Sequence, residues 1–117
     1  MNNYKGQRTK RDLMGSLVED AIISTVRKTA NNTLEYQCEN GDRGVQLHDT
    51  EIVRINTDGD ITLDSGGWET LTTKERINQF LPNRTLYQKD YTWYIWNRKT
   101  DETIEFYDGM TIIGGAR

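Results

Sequence analysis

The chain has 117 residues, enough for one domain with a modest core, and it is polar: 34% hydrophobic and 28% charged, with a mean hydropathy of -0.83. Three Trp, six Tyr and two Phe offset the shortage of aliphatic residues, because each ring buries a large area, so the expected core is thin and anchored by aromatics. The net charge of -3 hides an asymmetry: residues 1–12 carry Lys5, Arg8, Lys10 and Arg11 against Asp12, while the remainder is acidic and offers no long-range attraction to a phosphate backbone.

Other classes drop out on similar grounds. No apolar run approaches the roughly 20 residues needed to cross a bilayer, and MNNYKGQRTKRD lacks the apolar centre of a secretory signal. Cys38 is the single cysteine, which excludes an intramolecular disulfide and a Cys-rich zinc site. A reducing, intracellular setting is the expectation, with no membrane association.

In chain order, residues 1–8 read as a flexible basic arm, 9–113 as one β-rich domain and 114–117 as a frayed tail. Leu13, Met14, Leu17, Val18, Ala21 and Ile22 recur at helical spacing, predicting a short helix over about 10–20. The β-branched run AIISTVRK at 21–28 then reads as a strand, although 10–28 as a whole stays open between helix and strand. From Leu34 the alternation is clear. Leu34, Tyr36 and Cys38 alternate with polar residues, Asn40-Gly41 predicts a type I′ hairpin, and Val45 and Leu47 answer on the return. Val53 and Ile55, the Asp58-Gly59 turn, and Ile61 and Leu63 extend the meander. After Asp64-Ser65-Gly66-Gly67-Trp68, Thr72 and Glu75 have the spacing of a capping box, followed by Ile77, Phe80 and Leu81 and stopped by Pro82. RTLYQ, YTWYIW, TIEFY and MTII are four further strands, with Tyr91, Trp93 and Ile95 on the core face and Tyr94 and Trp96 on the other.

The predicted fold is mainly β (α+β): six to eight antiparallel strands in a small curved sheet or barrel, with one short capped helix and the N-terminal one. Two glycines at 66 and 67 permit a tight reversal, after which Trp68 is expected to fold back and cap the core.

Catalytic and metal chemistries are weakly supported. Ser65 with His48 and Asp49 suggests nucleophilic chemistry, but G-x-S-x-G is absent and adjacent strand residues point to opposite faces. Asp58, Asp60 and Asp64 lack the continuation of a calcium loop. No catalytic residue, metal or cofactor is assigned. The stronger candidate is a binding surface of Tyr94, Trp96, Arg98 and Tyr107, with Tyr87 nearby, able to stack bases or dock a protein.

ANNT at 30–33, QLHDTEIVRI at 46–55, DGDITLDSGGWETLTTKERIN at 58–78 and EFYDGMTI at 105–112 together resemble a group of small, uncharacterised proteins encoded by tailed bacteriophages. Asp64, Ser65, Gly66, Gly67, Trp68, Thr72 and Glu75 form the specific part of that signature. Glu69 and Gln46 stand where basic residues are expected in the group, which argues against contact with phosphate. The resemblance implies a phage or prophage origin and supplies no catalytic residue. The functional expectation is a non-enzymatic accessory protein in the cytoplasm of an infected bacterium. It would bind a host or phage protein, for instance to inhibit a host defence or metabolic activity. The alternatives are a nucleic-acid-binding module using the basic arm, which the acidic body disfavours, and a minor virion component.

Overall fold

Turn chemistry decides which face each strand presents, and at Asn40-Gly41 it reverses the expectation. The computed structural model describes residues 8–9 and 22–117. A seven-stranded sheet runs in the order β1 (Arg8–Thr9), β2 (Ile22–Ala30), β3 (Thr33–Cys38), β4 (Arg43–Leu47), β5 (Thr50–Ile55), β6 (Ile61–Leu63) and β10 (Thr111–Ile112). A three-stranded sheet holds β7 (Arg84–Lys89), β8 (Thr92–Asn97) and β9 (Thr103–Glu105), and helix α1 (Leu71–Asn78) lies between β6 and β7 in sequence. Among the described residues all pairings are antiparallel and the sheets are curved, but no barrel closes. The helix expected over 10–20 and the arm lie outside the described residues, apart from the two residues of β1. Residues 22–28 are strand.

The β3–β4 hairpin is not type I′. Only Gly41 has positive φ, Gly41 N–H donates to Cys38 O at 3.0 Å, and Cys38 N–H donates to Asp42 O at 2.8 Å. This is a three-residue loop closed by a glycine bulge. A two-residue loop would pair Tyr36 with Val45, whereas the observed register pairs Tyr36 with Gly44 and Glu35 with Val45. One residue of slip moves every side chain to the other face. Tyr36 and Cys38 therefore leave the main core and join Ile23 in a second cluster on the opposite side. Gly44 is required there, because a Cβ would fall on the Tyr36 ring. The Tyr36 hydroxyl donates to Glu51, whose partner Arg54 also binds Asp42 at 2.9 Å. Burial first, and then the Glu51 charge, push the Tyr36 hydroxyl far above its ordinary pKa.

The main core gathers Val45, Val53, Ile55, Ile61 and Leu63 from the large sheet, Ile77 from α1, and Leu86, Trp93 and Ile95 from the small one. Trp93 meets Phe106 with ring centroids 5.4 Å apart. Ile52 is the extra residue of a β-bulge between the Val45–Val53 and Gln46–Glu51 pairs, and it turns into the core beside Val53. The chain end at 114–117, where fraying was expected, is held. Ala116 N–H donates to Gly59 O at 2.8 Å, and Gly114 N–H donates to Asp60 Oδ1 at 2.7 Å. The Gly114 bond, with Asn56 and Arg117, lowers the Asp60 pKa.

Tyr91 does not face the core. Lys89 pairs with Thr92, so Asp90 and Tyr91 form a two-residue turn with φ of 52° and 67°. That is the type I′ geometry, built here without glycine. Tyr91 is 92% exposed, so no packing compensates the cost of a bulky residue in the left-handed region. Tyr91→Gly is expected to raise stability by about 1 kcal/mol, seen as a higher denaturation midpoint at unchanged slope; an unchanged or lower midpoint contradicts the strain.

Candidate binding site

The site begins where β6 ends. Ser65 N–H donates to Asp108 Oδ1 at 2.7 Å and its hydroxyl to Oδ2 at 3.1 Å, so one carboxylate clamps the corner to the β9–β10 connection. The Ser65 oxygen accepts Gly67 N–H at 3.1 Å, and Asp64 accepts Gly66 N–H at 2.6 Å. Gly66, at φ 65°, lies against Thr50: an added Cβ would stand 2.8 Å from Thr50 Cγ2 and closer still to its hydroxyl oxygen. Gly67, at φ 84°, faces open space. The reversal then delivers Thr70, in extended backbone, to the start of α1.

Thr70 is the N-cap, in place of the expected Thr72. Its hydroxyl accepts Thr73 N–H at 3.2 Å and pairs with the Thr73 hydroxyl at 3.1 Å. A start at Thr70 gives α1 two full turns and puts Thr73 and Ile77, four apart, on the buried face. A cap at Thr72 would leave less. Thr72 instead lines the cleft, and Glu75 is exposed. The far end of the helix is a bracket. Arg76 Nε donates to Thr33 Oγ1 at 3.0 Å, and Asn78 donates to Leu86 O at 2.9 Å while accepting Leu86 N–H at 2.7 Å. Phe80 and Leu81 follow the helix rather than belong to it, with Leu81 buried.

Facing this corner is the β4–β5 turn. Leu47 pairs with Thr50, leaving His48 at φ 55° and Asp49 at the tip. His48 N–H donates to Asn32 O at 2.8 Å, which stacks the ANNT turn on the LHDT turn. Between the turn, the corner and the first turn of α1 lies a cleft of about 480 Å³, within the size range of ligand sites. Its floor includes Leu47 and Ile52, and its walls carry His48, Asp49, Thr50, Thr72 and Trp68. The four sequence stretches that suggested a phage group thus meet in one place.

Trp68 does not seal the core. It is 68% exposed and forms a wall of the cleft. Ser65 and His48 both line the cleft, but the Ser65 hydroxyl is directed to Asp108 and Ser65 is almost fully buried. Tyr94, Trp96 and Arg98 lie together on the outer side of the small sheet. Tyr94 stacks with Tyr87 at 5.7 Å, Trp96 Nε1 donates to Asp101 at 2.8 Å, and Arg98 donates to Thr85 at 2.7 Å. Tyr107 follows β9 and precedes Asp108 in the connection that clamps Ser65.

One end of the molecule gathers what sequence reasoning scattered or missed. The Ser65–Asp108 clamp brings the 64–70 corner to Tyr107, the Phe106 N–H to Trp93 O bond holds Tyr107 beside the start of β8, and Lys74 reaches Gln88 near the β7–β8 tip. Trp68, Leu71, Tyr91 and Tyr107 all belong to these segments and are between 64% and 92% exposed. Leu71 and Tyr91 carried no functional signal, because each looked like an ordinary apolar position of a helix or strand.

The corner generates a comparison between adjacent glycines. Both Gly66→Ala and Gly67→Ala place a side chain at positive φ, a cost of about 1–2 kcal/mol, but only the first collides with Thr50. Gly66→Ala is expected to lose about 2–4 kcal/mol and Gly67→Ala about 1 kcal/mol, by urea denaturation; equal losses contradict the packing at Thr50.

A protein-family model described as Kyanoviridae Gp96 protein matches residues 14–113. Neither the curated proteins nor the solved structures searched contain a match.

Proposed function

The chain belongs to the Kyanoviridae Gp96 family, a phage protein family, and from that premise we propose that it is an accessory protein that binds another protein, of the host or of the phage, inside the infected bacterium, without catalysing a reaction. The observation that carries this reading is the exposure of Trp68, Leu71, Tyr91 and Tyr107 at one end of a chain that is only 34% hydrophobic. Large apolar side chains are the residues such a chain most needs inside. Trp and Tyr are also the types that dominate binding energy at protein interfaces. One of them, Tyr91, is held there by strained backbone, and strain of this kind collects where function requires it.

The same geometry supports a non-catalytic role. Ser65, the residue most suggestive of a nucleophile, has its hydroxyl bonded to Asp108, where it holds the corner. The outer face of the small sheet is the weaker docking candidate, because Trp96 and Arg98 already have partners within it.

The test is capture from lysate of phage-infected cells with the full chain, Trp68→Ala/Leu71→Ala and Trp96→Ala as baits. A specific protein is expected with the natural chain and Trp96→Ala, with recovery falling on the order of 30-fold for the double variant. A captured set indifferent to Trp68 and Leu71 sinks the proposal, and loss with Trp96→Ala alone moves the surface to the small sheet.

A further inference from the structure

The electrostatics of the cleft say what its occupant carries; this rests on the docking reading and names the partner's chemistry. Among the described residues, Asp49 is the single acidic residue lining the cleft, and no Lys or Arg lines it. Asp64 and Asp108 lie in the corner behind, holding the Gly66 and Ser65 backbone N–H groups. The basic residues of α1 are engaged elsewhere: Lys74 Nζ lies 5.7 Å from the Trp93 ring centre and bonds Gln88, and Arg76 bonds Thr33. Within the lining, Ser65, Thr70 and Thr73 already have hydrogen-bond partners. The side chains of His48, Asp49, Thr50 and Thr72 have none among the described residues, and the exposed Trp68 ring stands beside them.

We infer that this cleft receives a cationic side chain of the protein partner, arginine in first place, stacked on Trp68 and hydrogen-bonded by Asp49 and the free threonine hydroxyls. The face of an indole attracts a cation. A guanidinium is planar, stacks on aromatic rings and pairs a carboxylate through two parallel N–H donors, which a lysine ammonium does not. An anionic group would meet Asp49 with no Lys or Arg among the described lining residues to offset it. A purely apolar group would leave the hydroxyls and Asp49 desolvated and unpaired.

The experiment is an NMR titration of the full chain with the blocked tripeptide acetyl-Gly-Arg-Gly-amide, its lysine counterpart, and its citrulline counterpart, which keeps the shape of arginine and lacks the charge. The arginine peptide is expected to move the Trp68 indole N–H and the amides of Asp49 and Thr72, saturating in the millimolar range, with citrulline about tenfold weaker and lysine between them. Asp49→Asn, at an exposed turn, should reduce arginine binding to the citrulline level with the rest of the spectrum native. Equal shifts from arginine and citrulline, or none at Trp68, overturn the inference. If that happens while partner capture still depends on Trp68, the docking reading stands without it; if capture is indifferent to Trp68, the docking reading has failed on its own test.

Discussion

The carboxylate of Asp108 on the backbone and hydroxyl of Ser65 is the interaction on which the rest of the structure hangs. It joins positions 43 residues apart, with both bonds charge-assisted by the carboxylate and the Ser65 end out of water, where such bonds are strongest. Around it the chain returns from the small sheet to the large one. Leu63 N–H donates to Met110 O at 3.0 Å, and Gly109 N–H donates to Leu63 O at 2.8 Å, seating β10 beside β6. On the other side, the Ser65 oxygen holds Gly67 and thereby aims Trp68 outward. One clamp thus closes an edge of the sheet and orients the exposed ring.

Helix α1 carries that arrangement across the molecule. An eight-residue helix has no independent stability, so its position comes from docking: Ile77 in the core, Arg76 on Thr33, and Asn78 pairing with the Leu86 backbone as a strand would. Three consecutive residues therefore address three different elements. Asp64, Ser65, Thr70, Thr73, Arg76 and Asn78 are hydrogen-bonded internally, while the large apolar side chains nearby are left to solvent. That division is the reverse of what a thin core would favour, and it is coherent if the exposed end meets a partner.

Much of the sheet was legible in the sequence because period-two alternation is a local signal. Val53, Ile55, Ile61, Leu63, Trp93 and Ile95 all lie in the main core as their spacing indicated. The failures share a cause: each depended on a backbone conformation that residue type did not determine. Asn40-Gly41 suits two hairpin geometries that differ by one residue of register, and the choice sent Tyr36 and Cys38 to the opposite face. Asp90-Tyr91 hid a glycine-free I′ turn, and three nearby threonines disguised which one caps the helix. At the site, the signature stretches were visible, but their convergence is a tertiary fact. The outward Trp68 and the Asp108 partner of Ser65 had no local trace.

The most direct test of the clamp is a double-mutant cycle with Ser65→Ala and Asp108→Ala, reading stability by urea denaturation. A coupling energy on the order of 1–3 kcal/mol is expected for the hydroxyl arm, with Asp108→Ala losing nearly as much as the pair and Ser65→Ala less, because the backbone N–H arm survives it. Losses that simply add would contradict it, and with it the idea that one clamp both closes the sheet and presents Trp68.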